Sequence, residues 1–246
     1  MRKGPLVLLM AAFLLFAVSA CGGGGGDQGG GGGEAEQKEQ AKARTLPKPP
    51  GAGESFPTGR YVTKEFDPTL SFSLGKGWTG SLPETQDLLT ISREDPATKA
   101  FGTLGFTTVR QVFDANQPAQ AVKKTKPDDL AAWLQQHPYL DISEPESVSV
   151  GGVEGEQFEA VVSRLPKDKA KFCEAACVPL FALNNKFGFH FYMDESDLLG
   201  KVQFIVLDDV KGETVVIYLL SDPQAQLEEF GAKAQEVIDT IEWEGT

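Results

Sequence analysis

The chain reads as an α+β domain, an antiparallel sheet of successive hairpins with helices packed on its faces, following a signal peptide and a disordered linker. Three observations predict this. Hairpin patterns recur around Gly151-Gly152, Asn184-Asn185 and Asp208 to Gly212. Two stretches, after Thr125 and after Asp222, combine helix-start chemistry with apolar residues on one stripe. The first 55 residues hold one short apolar run and then stretches rich in glycine, charge and proline.

That apolar run comes first in the order of elements. Arg2 and Lys3 give a positive start, Leu6 to Ala17 are apolar, and Val18-Ser19-Ala20-Cys21 closes the run with small residues before a cysteine. A membrane-spanning helix needs about 20 apolar residues, more than are present here. A plain secretory leader would also want small residues at its cleavage point, but it would not require the cysteine. The arrangement resembles the lipobox of bacterial lipoproteins. That resemblance implies a diacylglyceryl thioether on Cys21, cleavage just before it, and acylation of the new amino terminus. Residues 1–20 are then the signal peptide. Each buried methylene contributes roughly 0.8 kcal/mol, so two or three acyl chains hold a protein where one only visits. The expected location is the cell envelope, membrane-anchored on the extracytoplasmic side, with the membrane as partner through lipid on Cys21.

Residues 21–55 lack apolar periodicity. Gly22 to Gly26, Gly29 to Gly33, a charged patch from Glu34 to Arg44 and the cluster Pro47, Pro49, Pro50 read as a disordered tether. As a flexible coil its r.m.s. reach is roughly 30 Å. Gln37 to Arg44 could alternatively form a short helix or docking motif. The chain carries 23 Lys and Arg against 35 Asp and Glu, a net charge of -12. Removing Arg2 and Lys3 with the leader makes the balance more negative still. Nucleic acid is excluded as an expected partner, because phosphate backbones demand clustered cations. The same charge disfavours flat adhesion to anionic headgroups.

Residues 56–246 are read as a single domain, long enough for a real core. Arg60 to Phe66 and Thr69 to Leu74 are predicted strands around the Asp67-Pro68 turn. Gly75, Gly77 and Gly80 bracket Trp78. A tryptophan so placed either lines a ligand cleft or covers the open end of a sheet. Leu88 to Arg93 and Thr103 to Val112 follow as strands, the second with Leu104, Phe106 and Thr108 on one side. Thr125-Lys126-Pro127-Asp128 offers a capping hydroxyl, an early proline and a carboxylate suited to the helix dipole, so a helix is expected from there to Pro138. His137 would close it, at the dipole's negative end, where a protonated imidazole is favoured.

Ser147 to Val150 and Val153 to Ser163 flank Gly151-Gly152, the clearest two-residue turn in the chain. Val178 to Leu183 and Phe187 to Met193 form the next hairpin. In its returning strand Phe187, Phe189 and Phe191 share one face, and His190 and Tyr192 the other. Lys201 to Leu207 and Glu213 to Leu220 are the most apolar strands and are expected at the centre of the sheet. A last helix starts with Asp222 as cap and Pro223 in its first position, burying Leu227, Phe230, Ala234, Val237 and Ile238. Thr240 to Glu244 make a final short strand.

This layout, with its first hairpin leading to Gly77-Trp78, the Gly151-Gly152 hairpin and the closing strand, strand, helix and Asp239-Thr240-Ile241, resembles the fold of the photosystem II extrinsic subunit family and its bacterial relatives. The resemblance implies an accessory protein that binds more than it catalyses. It carries no family site onto any residue here, and fold alone does not give function.

Cys173 and Cys177 are the remaining cysteines. In an oxidising compartment a disulfide between them is expected, closing so short a loop that it contributes about 2 kcal/mol. A redox pair would want the tighter C-x-x-C spacing, and a zinc site would want four ligands. No metal and no cofactor are expected. His137 and His190 are the only histidines, no G-x-S-x-G elbow occurs, and Asp194 to Asp197 and Asp208-Asp209 fall in turns. No catalytic residue is assigned. The expected function is that of a membrane-anchored lipoprotein acting as a non-enzymatic binding or accessory domain. Its possible binding residues are Trp78, His190 and Tyr192, and its partner is a protein or small molecule. The alternatives are an exported hydrolase using His190 with Asp194 or Glu195, and a purely structural envelope protein.

Overall fold

A computed structural model describes residues 43–48, 55–80, 82–184 and 190–244. The signal peptide, Cys21, most of the tether, and Asn185, Phe187 and Phe189 lie outside the described residues. The residues described belong to one compact unit, Gln40–Thr246.

Strands dominate: β1 (Arg44–Thr45), β2 (Gly59–Val62), β3 (Leu70–Leu74), β4 (Trp78–Gly80), β5 (Leu88–Glu94), β6 (Phe101–Thr108), β7 (Gln111–Phe113) and β8 (Lys123–Thr125) precede helix α1 (Leu130–Gln135). After it come β9 (Leu140–Ile142), β10 (Glu146–Val150), β11 (Val153–Val162), β12 (Val178–Phe181), β13 (Phe191–Met193), β14 (Lys201–Val210) and β15 (Glu213–Asp222). Helix α2 (Leu227–Ile238) and β16 (Glu242–Trp243) end the chain.

These strands form three sheets. The central one runs β10-β11-β14-β15-β6-β5-β4, with β9 also on β11. On one face lies the sheet β1-β2-β3-β16, with α2 beside it; on the other lies β13-β12-β7-β8, with α1 beside it. Alternation along the central strands builds both interfaces. Leu89, Ile91, Leu104, Phe106, Ile205, Val215 and Ile217 point to the first side, and Val202, Phe204, Val206, Val216 and Tyr218 to the second. Aromatic pairs span both gaps. Phe72 stacks on Phe106 at 6.5 Å, while Phe181 and Phe191 meet Phe204 at 6.1 and 5.7 Å.

The expectation of an α+β domain with helices covering the sheet faces is therefore corrected. The fold is β-rich, 44% strand against 11% helix among the described residues, because further sheets, not helices, supply most of the material on each face of the central sheet. Two local reasons stand behind the difference. Lys123 to Thr125 are taken into a ladder with Gln111 to Phe113, so α1 starts later, at a cap where the Asp129 carboxylate accepts from the Ala132 N–H at 2.7 Å. Gln111 to Phe113 leave the strand before them and join β12 in the third sheet.

Other elements fall as the pattern predicts. Gly151 and Gly152 take φ of 59° and 81° and close the β10–β11 hairpin. β14 and β15 pair at the centre, joined by a turn tighter than expected, with Lys211 and Gly212 at φ 57° and 85°. α2 buries the five residues expected of it, but Gln226 stands at its N-cap without a side-chain bond, and a 3-10 turn over Gln224–Gln226 separates it from Pro223. Arg44 and Thr45, within the stretch read as tether, pair in parallel with Tyr61 and Val62, and the next residue, Leu46, is buried.

Gly105 sits directly opposite Tyr218, whose ring covers it. A Cβ there would overlap that ring, and the close-packed layer leaves it little room to move. Gly105→Ala is expected to lower unfolding free energy by about 3 kcal/mol, at the upper end of overpacking costs. Denaturant titration monitored by tryptophan fluorescence checks this, and an unchanged midpoint contradicts the packing.

Candidate functional site

The residues singled out by the sequence fall in three separate places. Trp78, on β4, is 2% exposed and packs its ring against Phe230 of α2 at 5.9 Å. It is a core residue beneath a helix and lines no open cleft.

His137 is likewise buried, and neither ring nitrogen has a hydrogen-bond partner. Trp133 meets its ring edge-on at 5.1 Å and Tyr139 lies 6.0 Å away. Burial pushes its pKa down from 6.5 to about 4, so the imidazole is neutral. The expected helix-end proton is thus overridden: a partial dipole charge on a helix of six residues is weaker than the cost of desolvating an imidazolium.

His190, just before β13, and Tyr192 within it are each half-buried, and Phe172 packs against both rings. Phe113 of β7 and Phe172 stand edge-on to the His190 ring at 5.3 and 5.0 Å, and Phe172 reaches Tyr192 at 6.2 Å. Phe172 is held there by the next residue. Cys173 and Cys177 lie at disulfide-bonding distance, their Cα atoms 6.3 Å apart, both sulfurs buried against Ala170 with Phe172 and Tyr192 packed alongside. Burial, then the charge of Lys123, lowers the His190 pKa, and its Nδ1 is without a hydrogen-bond partner. Burial, then Asp194 and Glu174, raises that of Tyr192. Among the described residues no carboxylate is hydrogen-bonded to either histidine. A general base would need an orienting acceptor on its second nitrogen; among the described residues both nitrogens of His137 and Nδ1 of His190 lack one. The acidic pairs of the sequence serve as turn caps: Asp194 accepts from the Ser196 N–H at 2.8 Å and Asp209 from the Gly212 N–H at 2.9 Å.

One cluster had no sequence signal. Asp87, 3% exposed, accepts from Arg110 at 2.5 Å and from the Asn184 N–H at 2.7 Å. Arg110 also bonds Glu213 at 3.0 Å and lies 3.6 Å from Asp67. Burial works against the guanidinium charge, but Glu213, Asp87 and Asp67 outweigh it and the Arg110 pKa rises. With every charge answered by a partner, the cluster is a structural clamp. Among the described residues no group of three or more His, Cys, Asp or Glu is arranged to hold a metal ion, and no helix is long and apolar enough to cross a membrane.

No protein-family model matches this chain, and no curated protein or solved structure matches it either.

Two measurements follow from this geometry. Because the folded pKa of His137 lies below its unfolded value, the unfolded chain binds the extra proton between them. Stability is full above pH 6.5 and falls as pH drops towards about 4. His137→Phe should flatten that part of a stability-against-pH curve, and a slope unchanged by the substitution contradicts the assignment. Replacing both Cys173 and Cys177 with serine should cost about 2 kcal/mol by loop entropy. It should also loosen Phe172, read as broadened His190 ring resonances, whereas sharp, unshifted resonances would show that the pair does not hold the cluster.

Proposed function

We propose that this chain is an extracytoplasmic lipoprotein, held to a membrane by lipid on Cys21, whose domain acts as a non-enzymatic binding or accessory module. The observation that carries the reading is the order of the leader: Arg2 and Lys3, the Leu6 to Ala17 run, then Val18-Ser19-Ala20-Cys21. A buried cysteine pair at disulfide distance agrees with an oxidising compartment.

The domain's own geometry fits a tethered module. The chain joins the folded unit at β1, on the sheet that covers one side of the central sheet; Leu46 donates its N–H to Val62 and is buried. Any leash between lipid and domain therefore ends near Arg44, not near Ser55. His190, Tyr192 and the disulfide segment belong to the opposite layer, leaving that side free of the attachment.

Intact-mass analysis of the protein extracted from membranes should give the chain from Cys21 plus acyl groups. Cys21→Ala should move it out of the membrane fraction. An unmodified thiol at Cys21, or an uncut leader, overturns the proposal.

A further inference from the structure

The acidic chain gathers a group of its cations on one side. Between Arg164 and Lys171 it carries Arg164, Lys167, Lys169 and Lys171 against the single acid Asp168, and Lys123, Lys124 and Lys126 stand on and just after β8. The fold brings these segments together: Ala121 packs on the Ala170, Cys173 and Cys177 cluster, and the charge of Lys123 is felt at His190. A cleft of about 420 Å³ opens here between the β7–β8 loop and the 164–168 segment, lined by Asn116, Gln120, Tyr139, Arg164, Lys167 and Asp168 among others; of the seven cations, Arg164 and Lys167 line it.

The groups in this cleft are mostly donors with capacity to spare. Arg164 spends its Nε on the Pro138 carbonyl at 3.0 Å and lays its guanidinium over the Tyr139 ring, 5.4 Å from the centroid. That fixes the planar fork, and among the described residues neither of its outer nitrogens has a hydrogen-bond partner. Among the described residues Arg164, Lys167, Lys171 and Lys123 have no carboxylate partner, in contrast to Lys124, which pairs with Asp114 at 2.7 Å. Gln120 adds a side-chain amide. Asp168 is the one group that opposes an anion, and it leaves the cleft with net positive charge.

We propose that this cleft binds a phosphate-bearing compound through the Arg164 fork and Lys167. A tetrahedral phosphate offers acceptors in several directions, which suits a cleft lined by residues of both the β7–β8 loop and the 164–168 segment. An Arg fork also engages two of its oxygens together. A cleft of this volume takes more than a bare ion. The inference goes beyond the anchored-lipoprotein reading, and its test needs no lipid on Cys21, so the two stand or fall separately.

The experiment is calorimetric titration of the unlipidated full chain with inorganic tripolyphosphate, alongside an aspartate oligomer of matched charge. Tripolyphosphate is expected to bind, with affinity falling as salt rises. Arg164→Gln and Arg164→Lys should each weaken it by roughly tenfold, the second because the charge stays but the fork is lost. Lys167, exposed and free of structural contacts, supplies a variant, Lys167→Gln, that leaves the fold intact and should also weaken binding. No binding, equal binding of the aspartate oligomer, or affinity unmoved by both Arg164→Gln and Lys167→Gln overturns the proposal. Where binding is found and depends on these residues, competition by phosphatidylglycerol vesicles identifies a lipid headgroup as the source of the phosphate, and its absence identifies a soluble compound.

Discussion

β14 and β15 are apolar on both faces, and this is the constraint from which the architecture follows. Every residue from Thr214 to Ser221 is buried, as are Phe204 to Leu207 on the strand beside it. A sheet with one greasy face can be finished by a single layer and left to water on the other side. A sheet with two needs a layer on each. The chain meets that need with strands drawn from distant parts of the sequence, and the two covering sheets touch the centre through phenylalanines at 5.7 to 6.5 Å. Gly105 shows how closely the centre is filled, since the ring of the cross-strand Tyr218 occupies the space a side chain would need.

Stacked sheets could slide over one another if only apolar contacts joined them, because such contacts are non-directional. Arg110 removes that freedom at one end. Its partners are Asp67 from the turn before β3, Asp87 before β5 and Glu213 at the start of β15, while Asp87 also accepts from Asn184 beyond β12. Residues from all three layers therefore meet in one polar network. A buried carboxylate without partners would be costly, and here each oxygen of Asp87 has one. Trp243 does the same at another corner, donating its indole N–H to the Val150 carbonyl at 3.0 Å and tying the last strand to the glycine hairpin.

What could be read in the sequence was what is local. The Gly151-Gly152 turn needs positive φ, and only the dipeptide itself is required to see it. The burial of β14 and β15 is visible in their unbroken apolar runs, and the buried stripe of α2 in its spacing. The β12–β13 hairpin was legible, but its joining to β7 and β8 in a third sheet was not, because β7 pairs with β12 across more than sixty residues and strands of three and four residues carry too little pattern to announce a partner. The same short strands misled the reading of the α1 start: Thr125 has the chemistry of a cap, but a ladder bond with Gln111 outcompetes it. Asp87 and Arg110 gave no signal, since a lone acid and a lone base become a clamp only when folding brings them together. His137 and Trp78 were recognisable as unusual residues, but their burial depended on which neighbours would cover them.

The position of the Arg164 and Lys167 cleft bears on orientation. Beyond about one Debye length, roughly 8 Å at physiological salt, the negative charge of the domain as a whole is screened, so a ligand in the cleft responds to the groups lining it and not to the total. Arg164 and Lys167 can thus attract an anion on a protein whose net charge would repel one. The segment carrying them belongs with the layer opposite β1, as Leu165 packs on the core beneath the third sheet whereas Leu46 packs on the core beneath the first. The residues before β1 enter on the other side of the central sheet. The cation-lined cleft would lie across the central sheet from the point of attachment, open to whatever the compartment contains.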